Sequence, residues 1–387
     1  MCSKRGLTLI ELMVALFILA LIVGATFAIY ISNLKIYKSE AKTAETQMSK
    51  ILALELLRRD IVHAGAGLPW DLWGITYNEA TESAASPYND ATGDPPRAFV
   101  LGNNVTIEND PNNRTADYLV IKGVLAANNE STRKWGELTH DGAWTLEEMG
   151  EGGSFNANDW VILVSAVERR LHHDTSANWS FQGPASSIEG ISGLDTSTIY
   201  LAYGVRRINK AGDTVRMPFN RVDYFLEYTS NLPDKCSPNS YILYRATINH
   251  NTSSGTVDGR RSKEPILDCV RDFQVAFGID PDEDGQIDRW SDKLEIPPTP
   301  TSPHDSLEDI NNNDSLDAED VRRQVREVRV FILYQEGQRS DEVISTTPIT
   351  LGDNDTGTLS TFTPAGEDQH YRWKVLKVAV RPLNLGT

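Results

Sequence analysis

Residues 7 to 31 are apolar almost without interruption, and Glu11 is the single charged position among them. About 20 apolar residues suffice to cross the hydrocarbon core of a bilayer, so this run predicts a membrane-spanning helix. Beyond it, Ala41, Ala44, Met48, Ile51, Leu54, Leu57 and Ile61 recur every three or four positions, with Lys42, Glu45, Gln47, Lys50, Glu55 and Arg59 falling mostly between them. That spacing predicts an amphipathic continuation of the same helix, its stripe seating a globular domain. Gly65, Gly67 and Pro69 in HAGAGLPW end it, because glycine frees the backbone and a proline ring cannot continue the ladder.

From Ala98 the pattern turns to short β-rich runs parted by polar, Gly- and Asn-rich loops. Strands are predicted at 117–125, 159–167, 198–205, 222–228, 241–248, 270–279, 325–334 and 371–380. Segments 75–97, 126–156, 172–196 and 290–320 are poor in apolar residues and read as loops or insertions. The predicted fold class is α+β: a long N-terminal hydrophobic then amphipathic helix packed on a β-rich globular domain with large loop insertions.

Composition narrows the function. The formal net charge is −17, from 54 acidic and 37 basic residues, which argues against nucleic acid as a partner because phosphate binding needs a concentrated basic surface. Lys4 and Arg5 precede the apolar run and favour a cytoplasmic N-terminus, which places the rest of the chain across the membrane. No Ala-x-Ala cleavage pattern follows the run, so an ordinary secretory signal is not indicated.

A carboxylate at the centre of a bilayer costs on the order of 2.5 kcal/mol or more, so Glu11 needs a partner. The basic leader, Gly6 and the run LTLIELMVALFIL together resemble the class III signal of type IV prepilins and type II secretion pseudopilins. By that resemblance a membrane prepilin peptidase cuts between Gly6 and Leu7, and Leu7 becomes the N-methylated first residue, where phenylalanine is the usual occupant. Glu11 then pairs with the charged N-terminus of a neighbouring subunit. The implied organisation is a leader at 1–6, a membrane and filament-core helix at 7–31, its amphipathic continuation at 32–64, and an extracytoplasmic domain at 65–387. The LLRRDIVHAG helix end, the strand VRDFQVAFGID running into an acidic turn, and the late strands VREVRVFILY and YRWKVLKVAVRPLN resemble minor pilins of the PilW type. The J-type pseudopilins share the helix and a similar strand order but are usually shorter. The residues from about 75 to 260 match neither.

Cys2 would leave with the leader, so Cys236 and Cys269 remain as an even pair in an oxidising compartment. A disulfide between them would close a loop of about 33 residues and stabilise by roughly 3 kcal/mol, and two separate buried thiols are the alternative.

Two acidic runs carry metal-ligand spacing. In DPDEDGQID, Asp280, Asp282 and Asp284 alternate before Gly285, with the Gln286 carbonyl and Asp288 following, and Asp292 stands one place beyond the usual closing position. In DINNNDSLDAED the donors are Asp309, Asn311, Asn313, the Ser315 carbonyl, Asp317 and Asp320, with Asp314 where such a turn normally has glycine. Oxygens at these intervals suit Ca²⁺, in one or two sites. Solvated acidic turns are the plain alternative.

Catalytic signals are weak. His172 and His173 are adjacent and point apart on a strand, and no nucleophile, zinc or phosphate-loop motif accompanies them or Asp174. Trp135, Trp144 and Trp179 read as core or loop anchors more readily than as a sugar platform. The expected function is a non-enzymatic minor pilin, held in the inner membrane and then placed in a pilus initiation or tip complex with other minor pilins and the major pilin. A J-type pseudopilin and a membrane-anchored calcium-dependent adhesin are the alternatives.

Overall fold

The computed structural model describes residues 9–127, 129–207, 215–250, 259–295, 307–311, 313 and 315–386. Helix α1 (Leu9–Val62) is continuous over 54 residues, about 80 Å at the usual rise. It is followed by β1 (Phe99–Thr106), β2 (Thr115–Gly123), β3 (Trp135–His140), β4 (Trp144–Glu148), β5 (Asp159–Ser165), β6 (Phe181–Gln182), α2 (Ala185–Ile188), β7 (Tyr200–Arg207) and β8 (Asn220–Glu227). The chain continues with β9 (Tyr241–Ile248), β10 (Arg261–Ile279), β11 (Arg289–Ser291), α3 (Ala318–Gln324), β12 (Val325–Glu336), β13 (Ile349–Asp353), β14 (Gly357–Phe362) and β15 (Arg372–Val380).

The main sheet runs β1-β2-β8-β9-β10-β12-β15, with β11 paired to β10, and a smaller sheet runs β4-β3-β7-β5-β6. The eight runs of alternating or continuous apolar residues are all strands. Polar segments 126–156, 172–196 and 290–320 are not simple loops: they hold the β3–β4 hairpin, the short β6 and α2, and β11 with the start of α3. Leu138 and Leu146 face each other across that hairpin and seed a separate core with Val161, Leu163, Ile188 and Ala202. Too few apolar residues supply that core for a period to show in the sequence.

Among the described side chains of α1, those that seat the domain lie in its last third. Ala53, Leu57 and Ile61 are buried in the main core, and Lys50 lies over the Tyr334 ring. Met48 and Ile51 were expected in this seam but are 75% and 62% exposed. Met48 is nine positions before Leu57 and therefore half a turn round the helix, so the apparent stripe merged two faces.

Charged residues fix the helix and the loops. Asp60 is buried and accepts from Tyr224 Oη at 2.8 Å and Arg245 Nε at 2.6 Å. The 75–97 loop sends Glu79 and Asp90 beneath the sheet, where Lys122 Nζ bonds both, at 2.7 and 2.6 Å, and Arg221 bridges Glu79 to Asp223. Buried charges persist only when paired and hydrogen-bonded in this way.

The two sheets meet at His250. Asn220 Nδ2 donates to the Val124 and Val205 carbonyls at 2.8 and 3.0 Å, so its Oδ1 must accept from His250 Nε2 at 3.0 Å, while His250 Nδ1 accepts the Arg216 N–H. The ring is therefore neutral. Burial, then the charges of Arg206 and Arg216, push its pKa down to about 3. The unfolded chain takes up the proton first, at about pH 6.5, so stability present above that pH is lost as pH falls towards 3, by at most about 1.4 kcal/mol per unit. Urea midpoints of the full chain in detergent should drop from pH 6.5 to 5, and His250→Gln should flatten that slope. An unchanged slope in the variant would refute the assignment.

Candidate functional site

Gly6 and Leu7, with the basic leader, lie outside the described residues. Glu11 stands in the first turn of α1, and the helix from Leu9 to Leu34 is long and apolar enough to cross a bilayer, with none of it packed against the domain. Leu16, Phe17, Leu21 and Phe27 are each more than half exposed. In water such a surface is untenable, so lipid or other apolar helices must cover it.

The first acidic loop is wound around Asp280, which is fully buried. Its carboxylate accepts the N–H groups of Asp284 and Gly285 at 3.2 and 2.9 Å and Arg326 Nε at 2.6 Å. Gly285, at φ 90°, supplies the turn that aims these amides inward. Burial alone would raise the Asp280 pKa, but Arg326 and the Gly285 N–H outweigh it and hold it below the usual range. One oxygen each from Asp280, Asp282 and Asp288 lie within 4.8 Å of one another. Asp288 is raised, by desolvation and then by Asp282, Asp284 and Asp280. Asp284 turns instead to the Gln286 backbone and side-chain amide, at 2.7 and 3.1 Å, and Asp292 is not in the cluster.

In the second loop Asp317 and Asp320 form a capping box on α3. Asp317 Oδ1 accepts from Glu319 N and Asp320 N, and Asp320 accepts from Asp317 N and Ile310 N. Asn311 and Asn313 both donate to Asp317 Oδ2, at 2.5 and 2.9 Å, Asp309 accepts from Asn313 N, and Ser315 N donates to Asn313 Oδ1. Positions 312 and 314 lie outside the described residues. The two loops are adjacent: Arg323 joins Glu283 at 2.5 Å, Arg289 joins Glu308 at 3.4 Å, and Asp280 N donates to Gln324 O. Arg323 and Arg326 thus neutralise part of the acidic charge from within the chain.

Cys236 and Cys269 form a disulfide, with Cα atoms 5.0 Å apart. Cys269 has φ 57° and sits where β10 changes register against β9 before pairing with β12, so the bridge pins the irregular point of the longest strand. His172 is buried with Nε2 facing Ser192 O, and His173 donates to its neighbour's carbonyl and packs at a tilt against Trp73. Both histidines are used in packing.

Sequence reasoning missed Asp60, the residue that ties the helix to the sheet. Its signal was a carboxylate at a position where the apolar stripe has already turned inward, beside Ile61.

Two family models match the chain. The prokaryotic N-terminal methylation motif matches residues 1–27, and the type IV pilus-assembly protein W model, PilW, matches residues 234–384. No curated protein and no solved structure matches. The first match covers the leader, the Gly6–Leu7 junction and the exposed start of α1, and the second runs from the disulfide through β10, β12 and β15 to Asn384. A prepilin signal at one end and a match to the pilus-assembly protein W model over residues 234–384 at the other support a minor type IV pilin of the PilW kind, processed by prepilin peptidase and involved in pilus assembly.

Proposed function

We propose that this minor pilin acts in a complex that initiates or caps the filament, with its domain on the periplasmic side of the inner membrane before assembly. The observation carrying this reading is α1 itself, an apolar rod uncovered from Leu9 to Leu34, with one carboxylate in its first turn and a domain packed on its far end. Other pilin helices would cover the rod, and Glu11 would pair with the methylated N-terminal amine of a neighbour in their low-dielectric core. A priming subunit should be needed for filaments while remaining rare in them. Deleting the gene should abolish surface pili, and immunogold label on wild-type filaments should sit at ends. Label spaced along the shaft, or normal piliation without the gene, would overturn this role.

The acidic loops are proposed as a Ca²⁺ site centred on Asp280, Asp282 and Asp288, with a second on Asp309, Asn311, Asn313, the Ser315 carbonyl, Asp317 and Asp320. The closeness of three carboxylates supports the first, since their repulsion is relieved by a cation. The second requires the Asn311 and Asn313 amides to turn their oxygens inward. Millimolar Ca²⁺ should raise the melting temperature of the full chain in detergent by mass action, and chelator should reverse it. Asp282→Ala with Asp288→Ala tests the first loop, and Asp309→Ala with Asp317→Asn the second. A melting temperature indifferent to calcium and chelator would leave both as solvated acidic turns held by arginines.

A further inference from the structure

The segment Gly65–Trp70 that ends α1 also floors two cavities, of about 440 and 390 Å³, with Trp70 in the wall of each. Gly65 and Gly67 have φ of 78° and 66°, and a Cβ on Gly67 would lie 2.8 Å from Val124 and 3.3 Å from Tyr203, so glycine lets the floor lie this close to the sheets. The smaller cavity is walled by Trp70, Trp135 and Tyr203, and the two indoles are 42% and 39% exposed at its rim.

Arg169 lines this cavity. Its guanidinium lies 5.8 Å from the centre of the Trp70 ring and donates to Tyr203 Oη at 3.1 Å. No carboxylate among the described residues pairs with it, although its neighbour Arg170 engages both Asp71 and Glu168. Arg169 is the one charged side chain among the described residues that line this cavity. Arg169 also has φ 54°, a left-handed conformation that costs a non-glycine residue energy. Asn384, on the same wall, donates through Nδ2 to the Ala64 carbonyl at 3.3 Å, which leaves its Oδ1 as an acceptor for an incoming hydroxyl.

We infer that this cavity binds a carboxylated sugar residue, with the carboxylate on Arg169, a hydroxyl on Asn384 and the C–H face of the ring against Trp70 and Trp135. Aromatic walls with a few convergent polar groups are the usual make-up of a small-ligand pocket, and the volume accommodates one or two hexose rings. The guanidinium fork fits a carboxylate with two donors. An acidic peptide would also satisfy Arg169, but the floor offers it little main-chain pairing. The Gly65 and Leu68 amides already bond Lys122 O and Gly65 O, and the Ala66 carbonyl accepts from Val124 N. Recognition therefore falls to side chains, as a saccharide requires. The inference does not rest on the assembly role or on calcium binding, although Arg322 of α3 lies 3.9 Å from the centre of the Trp70 ring.

The test is saturation-transfer NMR on the full chain in phosphocholine micelles, which avoid competing sugar headgroups. The probes are the methyl glycosides of galacturonic, glucuronic and N-acetylneuraminic acid, methyl galactoside as the uncharged control, and an acetylated Trp-Glu dipeptide. At least one acidic glycoside should saturate and bind about tenfold or more tighter than galactoside. Arg169→Gln should erase that preference, Arg169→Lys should keep part of it, and Trp135→Ala should remove binding with the circular dichroism unchanged. The inference fails if no acidic glycoside saturates, if galactoside binds equally, if Trp135→Ala binds as the wild type does, or if only the dipeptide binds.

Discussion

Asp60→Ala is expected to destabilise the protein by about 3 to 5 kcal/mol, the usual cost of stranding one member of a buried ion pair. The substitution removes the carboxylate whose Oδ2 serves both Tyr224 and Arg245, and leaves the buried Arg245 guanidinium without its counter-charge, bonded to the Ala126 carbonyl. Leu57 and Ile61 would still pack against the sheet, but nothing polar would fix the angle at which the helix leaves it. Asp60→Asn keeps an acceptor and should cost less. Pairing Asp60→Leu with Arg245→Met should cost less than Asp60→Ala alone, because the unpaired charge goes too. Urea titration of the full chain in detergent reads all three. A loss below about 1 kcal/mol for Asp60→Ala would place the anchorage of α1 in apolar packing alone.

How much of this was legible in the sequence depends on the kind of interaction. The strands around Val161, Val275 and Val330 showed because apolar runs of strand length have few other uses, and the first helix showed because nothing but a membrane or a helix bundle tolerates residues 7 to 31. Met48 and Ile51 misled because a period of three to four residues gives the width of an apolar surface but not which side meets the domain. Only the fold shows Lys50 over Tyr334 and Met48 turned away. The buried network of Glu79, Asp90, Lys122, Arg221 and Asp223 was illegible for another reason. Lys122 and Arg221 stand 43 and 142 positions from Glu79 in the chain, and each member reads alone as a surface charge. Lys122 inside DYLVIKGVL and Arg221 before VDYFLEY were the traces it left. The acidic loops were visible as spacing, but not that Arg323 and Arg326 reach into them. Arg169 gave no sequence signal, since its distinction is its place in the cavity wall beside Trp70 and Tyr203.

Glu11→Ala carries the other large expected effect. Removing the only charge from residues 7 to 31 makes the helix more apolar, so the variant should still insert. Inside a helix bundle, however, the neighbour's amine would lose its counter-charge, and a loss of about 3 kcal/mol corresponds to a depletion from filaments of roughly a hundredfold. Both this expectation and the family assignment are decided by the N-terminal peptide. Mass spectrometry of sheared filaments should find the wild-type chain beginning at N-methylated Leu7, while for Glu11→Ala the chain should remain in the membrane fraction and be nearly missing from filaments. A filament-bound chain that still begins at Met1, or a Glu11→Ala chain present in filaments at the wild-type level, would contradict the account.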